Sequence, residues 1–525
     1  MVSPAIAAEY LESVDPATGE VIARFASTPV AKIPECVERA QQAQSEWRRL
    51  LPAQRAQFIG RLRDVLFHRR AEVAEVITRE VGKPRVEAIF SDVTVALDTA
   101  HYYSNPLRVA RWLRPERVPH HNLAVKSKRG EMHFEPYGVI AIISPWNYPL
   151  AVPMGQILPA LLAGNAVLLK PSEFTPWCGA LIGELCDGAG LPEGLVQVVQ
   201  GGGEVGAALV QTEGVAKVLF TGSVATGRKV AESCARRLVP SVLELGGKDA
   251  MLVLSDAEVE VASSAAVWGG FTNCGQACLS VERLYVERSV AERFTELVVA
   301  KTGRLRVGPG SEADSDVGPM IRPQQVERVE RQLRDAVARG ARILAGGKRA
   351  ARGGNFFEPT VVTDVNHTME LMREETFGPV LAICPVANAE EAVRLANDSV
   401  FGLGASVWTR DAKRGREMAL QLNAGAVMVN DVISAFGICE APHGGRGASG
   451  WGRTHSRLGL QEMLQVKYVD VDGLARVRKP WWFGYSAELA VAADRFLEFL
   501  YAPDWRRRVR QARGALGTLF RKNRI

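Results

Sequence analysis

Between Gly138 and Pro240, short apolar runs alternate with helical stretches, and this alternation limits the fold more than any other feature of the chain. The runs cover 139–143, 166–169, 196–199 and 217–220, and helical patterns at 178–189 and 205–211 lie between them. Uninterrupted apolar runs suit strands buried on both faces, and intervening helices suit the crossovers of a parallel sheet. Such α/β sheets bind ligands at the carboxyl ends of their strands. A chain of 525 residues exceeds what one core serves, so two large lobes are expected.

Three segments gather groups with chemical potential. In FTNCGQACLSVER (271–283), small and polar residues surround Cys278 just ahead of an apolar, β-rich run. A lone cysteine is usually an inert, buried residue. Upstream, VLELGGK (242–248) ends a strand-like run at two glycines and leaves Glu244 beside bare backbone. That carboxylate can take a proton from a thiol or a water, or it can simply face solvent at a strand end. In SPWNYP (144–149), Asn147 follows an apolar strand and is flanked by Pro145 and Pro149, which stiffen the turn. Its amide, with the backbone N–H of Cys278, can form an oxyanion hole, although a turn-forming Asn is the plainer reading.

Read together, the strings PWNYP, KPSE, FTGS, LELGGK, NCGQAC, EETFGP and PHGG occur in that order and resemble the NAD(P)-dependent aldehyde dehydrogenase superfamily over residues 10–470. The resemblance implies an aldehyde dehydrogenase-like α/β fold of two Rossmann-type lobes, with a β oligomerisation arm and a helical C-terminal extension. Residues 1–245 would form the NAD-binding domain, with 115–137 as the arm, and 246–426 the catalytic domain. Residues 427–472 would return to the first lobe and the oligomerising strand, and 473–525 would be the extension.

The same resemblance makes Cys278, Glu244 and Asn147 the catalytic group. It makes Trp146, Lys170, Glu173, Gly203, Gly222, Ser223, Glu375 and Phe377 cofactor contacts. The residues agree with this at several points. Lys170 and Glu173 follow a strand directly, where they can reach ribose hydroxyls, and a carboxylate there repels a 2′-phosphate, so NAD is expected in preference to NADP. No GxGxxG is present, but Ser223 opens a helix whose free N–H groups favour a pyrophosphate. No metal is called for.

By resemblance, Tyr148, Val152, Gly155 and His443 line the aldehyde tunnel. Gly155 stands where many relatives carry bulk, and His443 replaces the Phe of the usual PFGG string. A glycine there widens the channel toward a long or apolar aldehyde, unless a neighbour fills the space. The sequences WWFGYS (481–486) and VER (281–283) resemble a branch that includes enzymes of carotenoid-derived aldehydes. The string VGKPRVEA (81–88) reads as structural, and residues 30–80 as two or three surface helices without chemistry.

The overall charge of +6 is local: residues 473–525 carry twelve Lys or Arg against four Asp or Glu, so the rest of the chain is slightly acidic. With no accompanying motif, this does not indicate nucleic-acid binding. Two helices are expected, at 487–501 and 504–521. The second places Trp505, Val509, Ala512, Leu516 and Phe520 at helical spacing among Arg506, Arg507, Arg508, Arg510 and Arg513. Such a helix can lie on an anionic membrane or dock on the enzyme. The polar two-stranded arm exposes an edge that invites a partner strand, giving a homodimer or homotetramer.

The eight cysteines have no zinc or disulfide pattern and no signal-peptide pattern opens the chain, which suits the cytoplasm. The expected activity is oxidation of an aldehyde to a carboxylate through a cysteine thioester. The alternatives are an acylating dehydrogenase that passes the acyl group to coenzyme A, and an inactive scaffold that binds a membrane or partner.

Overall fold

The computed structural model describes residues 10–122, 125–479 and 481–518. These pack as two units, one of 10–113 with Glu135–Gln465 and one of Arg114–Phe134 with 466–518.

The larger unit holds two large sheets beside two two-stranded ones, Tyr10–Val14 with Val21–Ala26 and Phe401–Gly402 with Arg446–Gly447. One large sheet has the strand order Gly450–Trp451, Ser241–Glu244, Val215–Thr221, Val139–Ile143, Ala166–Lys170 and Val196–Val198. All its neighbours run parallel except Gly450–Trp451, where the returning chain pairs antiparallel with the strand that ends at Glu244. Every residue of Val139–Ile143 and Ala166–Lys170 is buried, as strands covered on both faces require.

The other sheet has the order Arg342–Ala345, Thr360–Thr363, Val380–Val386, Val281–Glu287, Asp249–Val253, Gly404–Trp408 and Ala426–Val429. Its only antiparallel pair among the described strands is the first. Strands and helices alternate as read from the sequence, and the element ends move by a residue or two. One reading changes: the helices Ile33–Trp47 and Pro52–Val81 are not merely superficial, since Trp47, Ile59, Leu62, Leu66, Val73 and Ile77 are buried.

In the smaller unit, strands Leu464–Asp472, Lys128–Pro136 and Glu116–Val118 form a three-stranded sheet, one strand more than the arm segment alone suggested. Ala124, part of the predicted segment, lies outside the described residues. Helices Ala487–Tyr501 and Trp505–Thr518 pack on one another, with Glu498 accepting from Arg507 (2.6 Å) and Gln511 (3.0 Å). The first helix coincides with its expected range. Trp481, Trp482, Phe483, Tyr485, Trp505 and Val509 are exposed. Of the predicted apolar face, the side chain of Leu516 and all of Phe520 lie outside what is described, as does the side chain of Arg513.

Candidate active site

The loop that carries Cys278 is built by backbone that few residues tolerate. After the helix Val259–Phe271, three successive residues are left-handed: Asn273 (φ 50°), Cys274 (φ 57°) and Gly275 (φ 70°). Non-glycine residues hold such angles only when their surroundings impose them. Here Glu87 accepts from the Asn273 backbone N–H (2.8 Å) and from the Thr272 hydroxyl (2.9 Å). Gln276 adds to this by donating to the Asn273 carbonyl (3.0 Å) and accepting from Ile321 N–H (2.9 Å). The result turns Cys274 into the core, while Cys278 remains partly exposed.

The Asn147 turn is anchored in a similar way. Lys83 and Asp92 form a fully buried ion pair at 2.8 Å. The Lys83 ammonium also donates to the Asn147 carbonyl (2.7 Å) and lies 4.0 Å from the centre of the Tyr148 ring. Asp92 accepts from Leu150 (3.3 Å) and Ala151 (3.1 Å), which satisfies free N–H groups at the start of the buried helix Ala151–Ala163. Asn147 itself donates one amide hydrogen to the Gln276 carbonyl (3.1 Å), so its turn and the cysteine loop are tied to each other.

The two glycines of LELGGK are explained by close approaches. A Cβ on Gly247 would stand 2.3 Å from the Cys278 carbonyl oxygen, and one on Gly246 2.6 Å from the Glu375 carboxylate. Glu375 accepts from Gly247 N–H (3.0 Å). Its strap, EETFGP, is held by Glu282, which accepts from Thr376 and Phe377 N–H and pairs with buried Lys248. Phe377 packs edge-on to Trp146 with ring centres 5.4 Å apart.

Cys278 borders two cavities. One, about 730 Å³ of empty space, is walled mainly by Phe90, Tyr148, Trp268, Leu279, Ile433 and Phe436, and none of its described lining residues is charged. The other, about 710 Å³, is lined by Asn147, Glu244, Trp146, Gly222, Ser223, Glu375 and Phe377, with Arg322 and Arg328 among the rest. Val152 borders both. The three proposed catalytic residues and five of the eight proposed cofactor residues therefore face one space.

Lys170, Glu173 and Gly203 are not on the described lining of that space. Lys170 is buried at its strand end and lies 3.5 Å from half-exposed Glu173, while Gly203 begins the helix Gly203–Gln211. Ser223 caps the helix Val224–Arg236 by accepting from Thr226 N–H.

Two of the expected tunnel residues have other neighbours. Gly155 and His443 are absent from the described lining of the apolar cavity. A Cβ on Gly155 would lie 3.3 Å from the imidazole of His455, so the missing bulk admits this histidine instead of substrate. His443 faces Glu244, with Nε2 3.5 Å from the carboxylate. The residues that do wall the cavity, Phe90, Trp268, Ile433 and Phe436, gave no signal in the sequence beyond their size. Lys83 and Glu87 sat in VGKPRVEA, where charge within a family-like string was the available hint.

The electrostatics are those of buried acids. Burial pushes the Glu244 carboxyl well above its usual range, and neither of its oxygens has a hydrogen-bond partner. Burial likewise lifts Glu375 to about 7. The Cys278 thiol is raised by burial, then by Asp249, Glu244 and Glu375, so proton removal from sulfur needs a nearby acceptor. Among the described residues no cluster of His, Cys, Asp or Glu could hold a metal ion.

Known proteins resemble the chain over most of its length. Residues 4–469 match the model of the Aldehyde dehydrogenase family. The chain is 39% identical over 498 residues to a 4,4'-diapolycopene aldehyde oxidase of Methylomonas sp., covering 94% of this chain and 92% of that one. Among solved structures, an NAD+ complex of aldehyde dehydrogenase from Bacillus cereus aligns with a TM-score of 0.84 at 34% identity, covering 88% of this chain and 93% of the other. An E. coli NADP-dependent enzyme aligns with a TM-score of 0.84 at 33% identity, covering 88% and 95%.

Proposed function

The chain belongs to the aldehyde dehydrogenase family and is an NAD(P)-dependent oxidoreductase, and from that premise we propose that it oxidises a long, apolar aldehyde to its carboxylate through a thioester on Cys278. The observation that carries the proposal is that Cys278 borders an uncharged cavity on one side and the space shared by Asn147 and Glu244 on the other. An aldehyde entering from the apolar side meets sulfur first. The relative named a 4,4'-diapolycopene aldehyde oxidase supports an aldehyde as the substrate.

The cofactor residues fit a dinucleotide. The cleft carries Gly222, which leaves the backbone bare, and Ser223 at a helix N-terminus, and Trp146 and Phe377 offer apolar faces. When bound, the nicotinamide supplies the acceptor for hydride. Lys170 and Glu173 would hold the adenosine ribose, and the exposed carboxylate of Glu173 disfavours a 2′-phosphate, so NAD should be preferred.

The chain's own residues divide the remaining work. Sγ of Cys278 bonds to the aldehyde carbon as its proton passes to solvent water, and the Asn147 amide and a backbone N–H hold the oxyanion. After oxidation a thioester remains on Cys278. Glu244 then takes a proton from water as the hydroxyl adds to the acyl carbon, the carbon–sulfur bond breaks and the acid leaves. Hydrolysis is favoured over transfer to coenzyme A because a buried carboxylate stands at the same cavity as the sulfur.

The test is a series of straight-chain aldehydes from propanal to dodecanal, plus benzaldehyde, assayed with NAD and NADP and with acid and acyl-coenzyme A measured as products. We expect kcat/KM to rise with chain length and to favour NAD. Absence of reduced nicotinamide with every aldehyde would end the proposal, and acyl-coenzyme A as product would replace hydrolysis with acyl transfer.

Two associations are also proposed for the smaller unit. Val466, Tyr468 and Val471 are exposed on an edge strand, which supports homodimer or homotetramer formation through that edge. Exposed Trp505 with Arg506, Arg507, Arg508 and Arg510 supports peripheral contact of a cytoplasmic enzyme with an anionic membrane. No helix among the described residues is long and apolar enough to cross one. Vesicles containing phosphatidylserine should float the full chain but not one lacking 504–525.

A further inference from the structure

The polar groups behind Glu244 are more elaborate than a buried base needs. His443 and His455 are both buried, and their ring centres lie 6.0 Å apart. The two segments that carry them are joined by backbone hydrogen bonds between His443 and Thr454 (2.9 and 2.8 Å). His455 is fitted against Gly155 and has Nδ1 3.1 Å from the Thr454 hydroxyl. Phe436 packs edge-on to both imidazoles, at 5.3 and 5.1 Å, and separates them from the aldehyde side.

We propose that His443 is a positioning residue for Glu244, whose Nε2–H faces the carboxylate and keeps it ionised for the attack of water on the thioester. The inference rests on the reading of Glu244 as the base in that step. Three observations support it. His443 Nε2 stands 3.5 Å from Glu244 Oε2, and a carboxylate rotation of roughly half an ångström would close this to a hydrogen bond. Both side chains are almost wholly enclosed. Both Glu244 oxygens otherwise lack partners, and a buried carboxylate with no donor would stay protonated and useless as a base.

Burial lowers the His443 imidazole to about 3, so at working pH it is neutral and one ring nitrogen keeps its proton. Placing that proton on Nε2 makes it the donor Glu244 requires. The other groups acting on Glu244 are Arg453, which favours its charge, and Glu462, which opposes it and is itself paired with Lys217 at 2.9 Å. Cys278 faces it across the cavity. His455 also stays neutral, lowered by burial to about 4. None of these need change when His443 is replaced.

The step can be isolated without the cofactor. 4-Nitrophenyl acetate acylates a thiol by releasing nitrophenolate, which leaves acetyl-Cys278 to be hydrolysed with the help of Glu244. The burst reports acylation and the steady state reports hydrolysis. His443→Phe keeps an aromatic ring, somewhat larger than imidazole, and removes the donor. We expect its burst to be unchanged, its steady state at pH 7 to fall about tenfold, and the acid limb of its pH profile to rise by about one unit. His443→Gln, which restores an N–H, should recover most of this, while the shorter His443→Asn should not.

An unchanged acid limb and steady state in both the Phe and Asn variants would overturn the proposal. Glu244→Gln should keep the burst and lose the steady state, and adding His443→Phe to it should change nothing further. A further tenfold loss in the double variant would mean that His443 acts elsewhere. Normal hydrolysis by Glu244→Gln alone would overturn both this inference and the reading it rests on.

Discussion

The two cavities beside Cys278 differ in what they ask of the residues around them. On the apolar side, Phe90, Trp268, Ile433 and Phe436 form a wall without charge, which stabilises the fold as any core does and costs nothing in desolvation. On the other side, Glu244 and Glu375 are buried carboxylates with raised pKa values, an arrangement that opposes folding. On the proposed mechanism the difference divides selection from chemistry at the sulfur: one side would recognise substrate by area, and the other holds unfavourable charge where the reaction would require it.

That division is open to attack at its boundary first. Cys278→Ala should remove aldehyde oxidation altogether, by about 10⁴-fold or more in kcat, while leaving the melting temperature close to wild type. Surviving turnover would mean that the boundary lies elsewhere. Asn147→Ala acts on the charged side alone, with an expected loss of about 10²-fold in kcat and little change in KM. A KM effect instead would assign Asn147 to substrate binding.

Phe436→Ala acts on the apolar side. It should lower kcat/KM for dodecanal about tenfold and leave propanal nearly untouched, since lost apolar contact discriminates by about 1–3 kcal/mol. Equal losses for both aldehydes would show that the wall serves the fold more than selection.

The smallest effect is on stability. Glu375 is raised to about 7 from 4.5, so below pH 4.5 it is neutral in both states and costs nothing. Between 4.5 and 7 the folded chain binds more protons at this site than the unfolded one, and stability falls as pH rises. Glu375→Gln should therefore show a flatter decline in melting temperature from pH 5 to 8 than wild type does. Parallel curves would mean that the carboxylate is not buried in solution.

What the sequence disclosed follows the same division. Strand and helix alternation was readable because strands such as Val139–Ile143 are buried on both faces and write their environment as unbroken apolar runs. Cys278, Glu244 and Asn147 were readable because each lies in a short string whose glycines and prolines are required locally. Gly246 and Gly247 are explained by the approach of Glu375 and of the Cys278 backbone.

The apolar cavity was readable only in part, at Tyr148 and Val152. Its wall is assembled from residues distant in the chain, and a glycine declares only that a side chain is missing, not what fills the gap. At Gly155 the sequence left a wider channel and a filling neighbour both open, and His455 lies against it. The supports at Lys83 and Glu87 were hidden for a related reason, since their partners Asp92, Thr272 and the backbone of Asn147 and Asn273 come from separate segments.

The left-handed kink at Asn273 and Cys274 has a chemical cost outside the reaction cycle. It turns the nearest thiol in sequence inward, to 1% exposure among apolar side chains. If peroxide converts Cys278 to a sulfenic acid, Cys274 is not presented as a resolving thiol to trap it as a disulfide. Repair then falls to small thiols diffusing in from the surroundings, through the same cavities that border Cys278.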